Sequence, residues 1–233
     1  MRINQSTVLT TIIMATLLPA TICFADGSAR FSTGDPNVPS LTFSWQKNGP
    51  GRLDVPGQPA HVLAINGKAW GVAEVAGYPV SMDLESLADL LGQESGLARI
   101  GPDTVVPAQL TAMEPTGRML TVAGIQGEVY RVSWQDSEGR AHMDEAVFTD
   151  DPLVREMQAA LIGGMARAIA RDTGVSHQGL AEQELERRGL AVLRFGDDFR
   201  LEAINANEQP AHRFALPGKP VDLRQMMRGL MGN

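Results

Sequence analysis

The chain has one cysteine among its 233 residues, Cys23, which lies inside an apolar segment at the N-terminus. We expect this segment to be removed on export, so that the mature chain contains no cysteine. A chain without cysteine cannot form disulfides, use a thiol nucleophile or bind a metal through thiolates. The composition therefore excludes three kinds of chemistry together.

Positive charge is also scarce. Lys and Arg total 20 against 27 Asp and Glu, which gives a formal net charge of −7, and loss of Arg2 with the N-terminal segment lowers it by one to −8. Nucleic acids and anionic lipid surfaces are bound through clustered Lys and Arg. We therefore expect no nucleic-acid partner.

Sequence signatures of catalysis and of metal or nucleotide binding are missing. The chain contains no HExxH, no GxxxxGK and no strand-borne GxGxxG, and its four histidines are too far apart for ligand spacing. The run GVSHQG around Ser176 is one residue too long for a nucleophile elbow and is more typical of a helix cap. We predict a protein that is not an enzyme and has no metal or other cofactor. A hydrolase site assembled from scattered acidic residues stays open as an alternative.

The N-terminal segment MRINQSTVLTTIIMATLLPATICFA has the layout of a secretory signal peptide. Arg2 precedes an uncharged run that ends in small residues. The apolar core from Val8 to Leu18 is shorter than the roughly 20 residues that span a bilayer, and Pro19 follows it. We expect cleavage after Ala25 and a periplasmic location, with an uncleaved anchor or release to the medium as alternatives. No later stretch is apolar enough to cross a membrane.

Composition divides the rest of the chain into three parts. Residues 26–40 are rich in Gly, Ser, Pro and Asp and are predicted to be a flexible connector. Residues 41–221 form one domain, which is long enough to bury a core without disulfides. Residues 222–233, which contain DLRQMMRGLM, are predicted to form a Met-rich amphipathic helix.

Period-two alternation predicts a series of antiparallel hairpins. In LTFSW the apolar residues Leu41, Phe43 and Trp45 alternate with Thr42 and Ser44. Asn66 and Gly67 tolerate the positive φ of a type I′ turn between HVLAI and KAWGVAEV. Further predicted strands are GEVYRVSW, Ala141 to Phe148, LAVLRF, FRLEAI and a short HRFALP.

Three helices are predicted between these strands. The first follows Pro79, is capped by Ser81 or Asp83 and covers SMDLESLADLL. The second begins at Asp151 and Pro152 and continues to about Asp172. Gly163 and Gly164 lie within it, and we interpret them as allowing close backbone approach. The third covers about Ser176 to Arg188.

Hairpins interrupted by helices, without βαβ alternation, predict an α+β fold. We expect a curved antiparallel sheet, or half-barrel, with helices packed on its concave face. The segments GRLDV, AINGKAWGV, MDLESLADLL, GEVYRVSWQDSEG, EAVFTDDPLV, LAVLRF and RFALPGKPV resemble an uncharacterised family of exported bacterial proteins that is similar to the lipoprotein-carrier (LolA/LolB-like) half-barrel. The resemblance implies a binding or carrier module with an apolar concavity, and it carries over no catalytic residue.

Large apolar side chains on the predicted elements form the candidate ligand site. The indoles and the phenol can bury a ring while keeping a polar tip, and methionine adapts to irregular ligands. Plain core packing is the alternative for the same residues. The ligand set comprises Trp45, Trp70, Tyr130, Trp134, Met157 and Met165.

These features favour a periplasmic, non-enzymatic carrier for an apolar ligand such as a lipid or a lipoprotein acyl chain. The second hypothesis is an envelope interaction or assembly factor that docks a partner protein through the tail helix. The candidate partner-binding residues on that helix are Met226, Met227 and Leu230.

Overall fold

The computed structural model describes residues 26–34, 39–75, 77–84, 109–136, 138–166, 180–218 and 220–221. Within these ranges the chain is mostly β-strand. The strands are β1 Gly27–Thr33, β2 Leu41–Trp45, β3 Gly51–Asp54, β4 His61–Ile65, β5 Lys68–Val75, β6 Tyr78–Asp83, β7 Gln109–Val122, β8 Ile125–Gln135, β9 Ala141–Thr149, β10 Ala191–Phe195 and β11 Phe199–Ala206.

All eleven of these strands belong to one antiparallel sheet, in the order β6-β5-β4-β3-β2-β1-β11-β10-β9-β8-β7. The sheet is curved and not closed, and among the described strands β6 and β7 form its two edges. The predicted α+β class with a curved antiparallel half-barrel is therefore confirmed.

Helical structure is limited within the described ranges. Helix α1 spans Pro152–Ala160 and continues directly into a π-helical segment, Leu161–Ala166. Helix α2 spans Leu180–Arg188, and a 3₁₀ turn covers Ala211–Phe214. No helix in the described part of the chain combines the length and apolar character needed to cross a membrane.

The prediction of a flexible connector over residues 26–40 is wrong for Gly27–Thr33. This segment forms β1 at the centre of the sheet, paired with β2 on one side and β11 on the other. Ala29 and Phe31 are 2% and 6% exposed, and Ser28 and Arg30 alternate with them. The alternation of apolar and polar residues in Gly27–Thr33 covers only a few positions. The polar residues around it made it hard to recognise in the sequence.

Two further elements differ from the sequence prediction. Pro79 and Ser81 lie within β6 rather than ending a strand and capping a helix. An edge strand tolerates proline because the missing N–H would face solvent. Of the other residues in the predicted helix, Leu84 is helical, and residues 85–91 lie outside the described residues. The segment HRFALP forms no strand: its first three residues belong to the 3₁₀ turn Ala211–Phe214, and the rest is irregular.

The predicted hairpins are confirmed in detail. Asn66 and Gly67 have φ of 53° and 73°, as a type I′ turn requires, and Ile65 pairs with Lys68 across them. The hairpins β8–β9 and β10–β11 also form as predicted. Asp151 caps α1 through Oδ1, which accepts hydrogen bonds from the amides of Leu153 at 2.9 Å and Val154 at 3.1 Å.

Apolar side chains fill both faces of the sheet. The face that α1 covers, which we call the concave face, carries the larger core and includes Val154 and Met157, 0% and 1% exposed. The outer face carries a second core beneath α2, where Leu185 packs with residues of β7, β8 and β9. Val129 belongs to the first core and its neighbour Tyr130 to the second, as strand alternation requires.

Candidate functional site

A cleft of about 920 Å³ runs beside α1. Its walls come from α1 and the π-helical segment, from the turn between β2 and β3, and from the exposed side of α2. Its lining residues are Trp45, Gln46, Asn48, Gly49, Pro152, Arg155, Glu156, Gln158, Ala159, Ala160, Ile162, Gly163, Gly164, Gln183, Glu186 and Leu190.

Helix α1 presents one face to this cleft and the adjoining face to the core. Arg155, Ala159 and Gly163 recur at a spacing of four, which places them on one side of the helix. Val154 and Met157 point into the concave core instead. The cleft wall therefore changes from charged near the start of α1 to small and apolar near the π-helical segment.

The two glycines of the π-helical segment, Gly163 and Gly164, line the cleft. A Cβ added at Gly163 or Gly164 would meet no atom of the described residues within 4 Å. The interpretation that these glycines allow close backbone approach is therefore wrong. π-helical turns inside helices are frequent at functional sites, and this one forms part of the cleft wall.

Trp45 lies at the inner side of the cleft. The indole is 1% exposed and stacks on Phe43 with ring centroids 5.8 Å apart and an interplanar angle of 16°. Gly27, its cross-strand partner, leaves room for the ring. The indole Nε1 is buried and has no hydrogen-bond partner in the structure.

Two of the amide side chains at the cleft are held by backbone groups. Gln46 donates from Nε2 to the carbonyl of Gln209 at 3.1 Å, and the Oε1 of Gln158 accepts from the amide of Val192 at 2.8 Å. These bonds tie the cleft walls to β10 and to the chain after β11. The two bonds therefore fix the positions of Gln46 and Gln158 in the cleft walls.

The structure brings only part of the predicted ligand set together. Trp45 and Met157 both belong to the concave core. Tyr130 and Trp134 belong to the core on the outer face. The hypothesis of one cavity formed by all of these side chains is therefore wrong, because adjacent strand positions face opposite sides of the sheet.

Trp70 also faces away from Trp45. Register places Trp70 in one row with Leu63, Arg52 and Ser44, and Ser44 precedes Trp45 on β2. The Trp70 ring is partly exposed, with the Lys68 Nζ 5.9 Å from its centroid. The side chain of Met165 lies outside the described residues, as do the partner-binding candidates Met226, Met227 and Leu230.

A second polar cluster stabilises the turn between β8 and β9. The Oδ2 of Asp136 lies 2.6 Å from Nε of Arg140 and 3.0 Å from Nε2 of His142. The His142 ring stacks on Trp134 with centroids 4.2 Å apart, and the Trp134 Nε1 donates to Asp144 at 2.7 Å. Burial opposes ionisation of Asp136, but the hydrogen bonds from His142 and Arg140 outweigh it and hold its pKa well below the usual range. Each polar group here has a partner, so the cluster is structural.

In the ranges that the structure describes, no group of three His, Cys, Asp or Glu side chains is arranged to hold a metal ion. The adjacent acids Asp197 and Asp198 lie in the β10–β11 turn, where burial and the nearby charges of Asp144 and Asp197 raise the pKa of Asp198.

Sequence reasoning missed most of the cleft residues. Arg155 and Glu186 are ordinary surface charges in the linear sequence, and only the fold places both of them on the walls of one cleft. The spacing of four that relates Arg155, Ala159 and Gly163 was the available signal, since it marks a helix face opposite to the apolar stripe.

Comparison with protein-family models, with curated proteins and with solved structures gave no match for this chain.

Proposed function

We propose that this protein is an exported, non-enzymatic binding protein that holds an apolar or amphipathic ligand in the cleft beside α1. The observation that carries the proposal is the cleft of about 920 Å³ beside α1, in whose wall Gly163 and Gly164 border open space among the described residues. Glycine costs about 1 kcal/mol relative to alanine within a helix. Ligand binding in the cleft would account for glycine rather than alanine at these two positions.

The cleft is lined by both charged and apolar residues, which favours an amphipathic ligand. Arg155 and Glu186 are among the charged lining residues, and Ala159, Gly163 and Trp45 are among the small or apolar ones. At a rise of 1.5 Å per residue, Arg155 and Gly163 are roughly 12 Å apart along the helix. A lipid or a lipoprotein acyl chain matches this division, and the resemblance to lipoprotein-carrier half-barrels agrees with it.

The polar groups around the cleft support binding rather than catalysis. Gln46 and Gln158 are committed to backbone partners. The cluster around Asp136 lies on the β8–β9 turn, and its groups are mutually paired. A periplasmic location, as the leader predicts, would place the protein where lipids and lipoproteins pass between membranes.

The first experiment is native mass spectrometry of the protein purified after export, followed by organic extraction and mass analysis of the extract. A reproducible extra mass that disappears on extraction supports the proposal and identifies the ligand. A clean apo mass, together with no binding of the neutral apolar fluorophore N-phenyl-naphthylamine, would overturn it.

A matched pair of variants locates the binding site. Ala159 is exposed and lines the cleft, whereas Ala141 is exposed on β9 and does not. Ala159→Trp should weaken fluorophore binding by at least about tenfold, or about 1.4 kcal/mol. Ala141→Trp should leave it unchanged. Equal binding by both variants would place the fluorophore elsewhere on the protein.

A partner-docking role is the second candidate, and the edge strand β7 favours it. Met119 and Leu120 at the end of this strand are 51% and 37% exposed, and exposed apolar edges often pair with other proteins. A photo-crosslinker at Met119 should then label one envelope protein, and Leu120→Glu should abolish the product. Tyr78, exposed on the opposite edge strand, is the control position. Deletion of residues 222–233 tests the predicted role of the tail helix separately.

A further inference from the structure

The segment that follows β11, residues 207–218, is bonded to the sheet through side chains of two neighbouring strands, and we call it the strap. Gln46, directly after β2, donates from Nε2 to the carbonyl of Gln209 at 3.1 Å. On β3, Arg52 donates from Nη1 to the carbonyl of Arg213 at 3.0 Å. These bonds hold the strap in a docked position on the sheet.

One carboxylate adds an ion pair between β3 and the strap. The Oδ2 of Asp54 accepts from Nη2 of Arg213 at 3.3 Å, whereas Arg52 makes shorter bonds to the same carboxylate, down to 2.7 Å. The Nη1 of Arg213 donates to Oε1 of Gln209 at 2.9 Å, and Gln209 is 4% exposed. A continuous chain of bonds therefore runs from Asp54 through the strap to Gln46 in the cleft wall.

His61 on β4 lies beside this carboxylate. It is the cross-strand partner of Asp54, so the two side chains occupy the same face of the sheet, with Cβ atoms about 4.5–5.5 Å apart. Burial and the charge of Arg52 lower the pKa of His61. The charge of Arg213 lowers it as well, and the charge of Asp54 opposes these effects. A protonated His61 would thus compete with both guanidiniums for the one carboxylate that they share.

The remaining neighbours of His61 are apolar or exposed. On β5 its cross-strand partner is Val72, and the next ionisable side chain on that face of β5 is Glu74, which is exposed. His212, which precedes Arg213 on the strap, is exposed as well. Exposed charges interact weakly because solvent and salt screen them.

We infer that protonation of His61 releases the strap and thereby frees the side chain of Gln46 from its backbone partner. The third positive charge beside Asp54 displaces Arg213, whose bond to the carboxylate is the longest. Docking is therefore strongest above about pH 6.5 and weakens as the pH falls below it, because the docked state favours the neutral ring. The inference concerns the protein without ligand, so it is independent of the proposed function.

Amide hydrogen exchange of the full exported protein, read from ¹⁵N–¹H spectra at about pH 7.5 and about pH 5, tests the inference. The reporters are the amides of Arg213 and Ala215, which form the bonds of the 3₁₀ turn. So short a turn is unstable without packing, so both amides lose protection when the strap is released. Their protection factors should fall at least about threefold at the lower pH. The amide of Val132 in β8, which lies between β7 and β9, is the reference and should keep its protection.

Three variants identify the group that titrates. His61→Gln removes the ring and should abolish the fall in protection. His212→Gln replaces the exposed histidine of the strap, so it is the matched control and should retain the fall. Asp54→Asn weakens the ion pair with Arg213 and should leave the strap poorly protected at both pH values.

The other outcomes contradict the inference. Equal protection of the strap at both pH values in the wild type would overturn it, and so would a fall that persists in His61→Gln. A parallel loss at Val132 would mean that the whole fold opens, which also rules out selective release. The side-chain amide of Gln46 should lose protection together with the strap, and if it does not, the connection to the cleft is wrong.

Discussion

Gly27 on β1 lies against the indole ring of Trp45 on β2, so closely that a Cβ at Gly27 would sit 2.6 Å from Cη2 of the ring. Real Cβ atoms essentially never approach that near. The ring therefore occupies the space that a side chain at Gly27 would fill, and the position of Trp45 depends on this glycine.

Gly27→Ala should destabilise the protein by about 1–3 kcal/mol, because the ring or the strand must shift to accommodate the methyl group. Urea unfolding followed by circular dichroism measures the loss. Binding of N-phenyl-naphthylamine should weaken in the same variant, because the ring moves. Gly164→Ala, where an added Cβ meets nothing within 4 Å, is the control and should not destabilise. If the two variants are equally stable, the sheet accommodates the methyl group at position 27 with no loss in the free energy of unfolding.

Gly163→Ala should stabilise the protein by up to about 1 kcal/mol, because alanine favours helix and the site has room for its methyl group. Gly163→Leu should have similar stability but weaker fluorophore binding, since its side chain enters the cleft. Thermal unfolding and fluorescence titration of both variants separate the two effects. A loss of stability in Gly163→Ala would mean that the glycine is needed by the fold rather than by a ligand.

Asp136→Asn should remove a pH-dependent contribution to stability. The pKa of Asp136 is lower in the folded protein than its unfolded value of about 3.9. The ionised carboxylate therefore stabilises the fold above about pH 4, and this contribution is lost as the pH falls toward the folded pKa. The difference in Tm between the wild type and Asp136→Asn should be largest near neutrality and shrink on acidification.

The control for that series lies in the same turn. Glu138 forms an ion pair with Arg140 at 3.1 Å, and its side chain is 67% exposed. Exposed pairs of this kind contribute little to stability. Glu138→Gln should therefore change Tm only slightly at every pH, and a large effect would locate the stabilisation in Arg140 rather than in Asp136.

Asp151→Ala should destabilise α1 by about 0.5–2 kcal/mol, because the amides of Leu153 and Val154 lose their acceptor. Asp150, its exposed neighbour, does not cap the helix, so Asp150→Ala serves as the matched control. Since α1 forms one wall of the cleft, Asp151→Ala should also weaken fluorophore binding. Chemical denaturation with both variants tests the capping role directly.

Local features of the fold were predictable because their causes are local. Asn66 and Gly67 tolerate positive φ, so the turn between β4 and β5 follows from two adjacent residues. Asp151 and Pro152 likewise specify the start of α1. The pairing of Gly27 with Ala206 was not predictable, because it joins the first strand to the last and depends on the strands between them.

The sequence predicted the candidate site only in part, because the alternation of side chains along a strand does not show which face of the sheet a residue occupies. The sequence identified Trp45 and Met157 as large buried side chains, and both lie in the concave core. It grouped Tyr130 and Trp134 with them, because a period-two pattern separates two faces without saying which face is concave. Apolar residues cover both faces here, so hydrophobicity could not decide between them.

The sequence by itself determined the turns, the helix start and the alternation of each strand, since these arise from residues a few positions apart. The tertiary structure alone decided that β1 lies at the centre of the sheet, that Trp45 and Trp134 face opposite sides, and that two glycines border an open cleft. These properties depend on how the sheet curves and on which distant strands meet, and no local stretch of the chain specifies either.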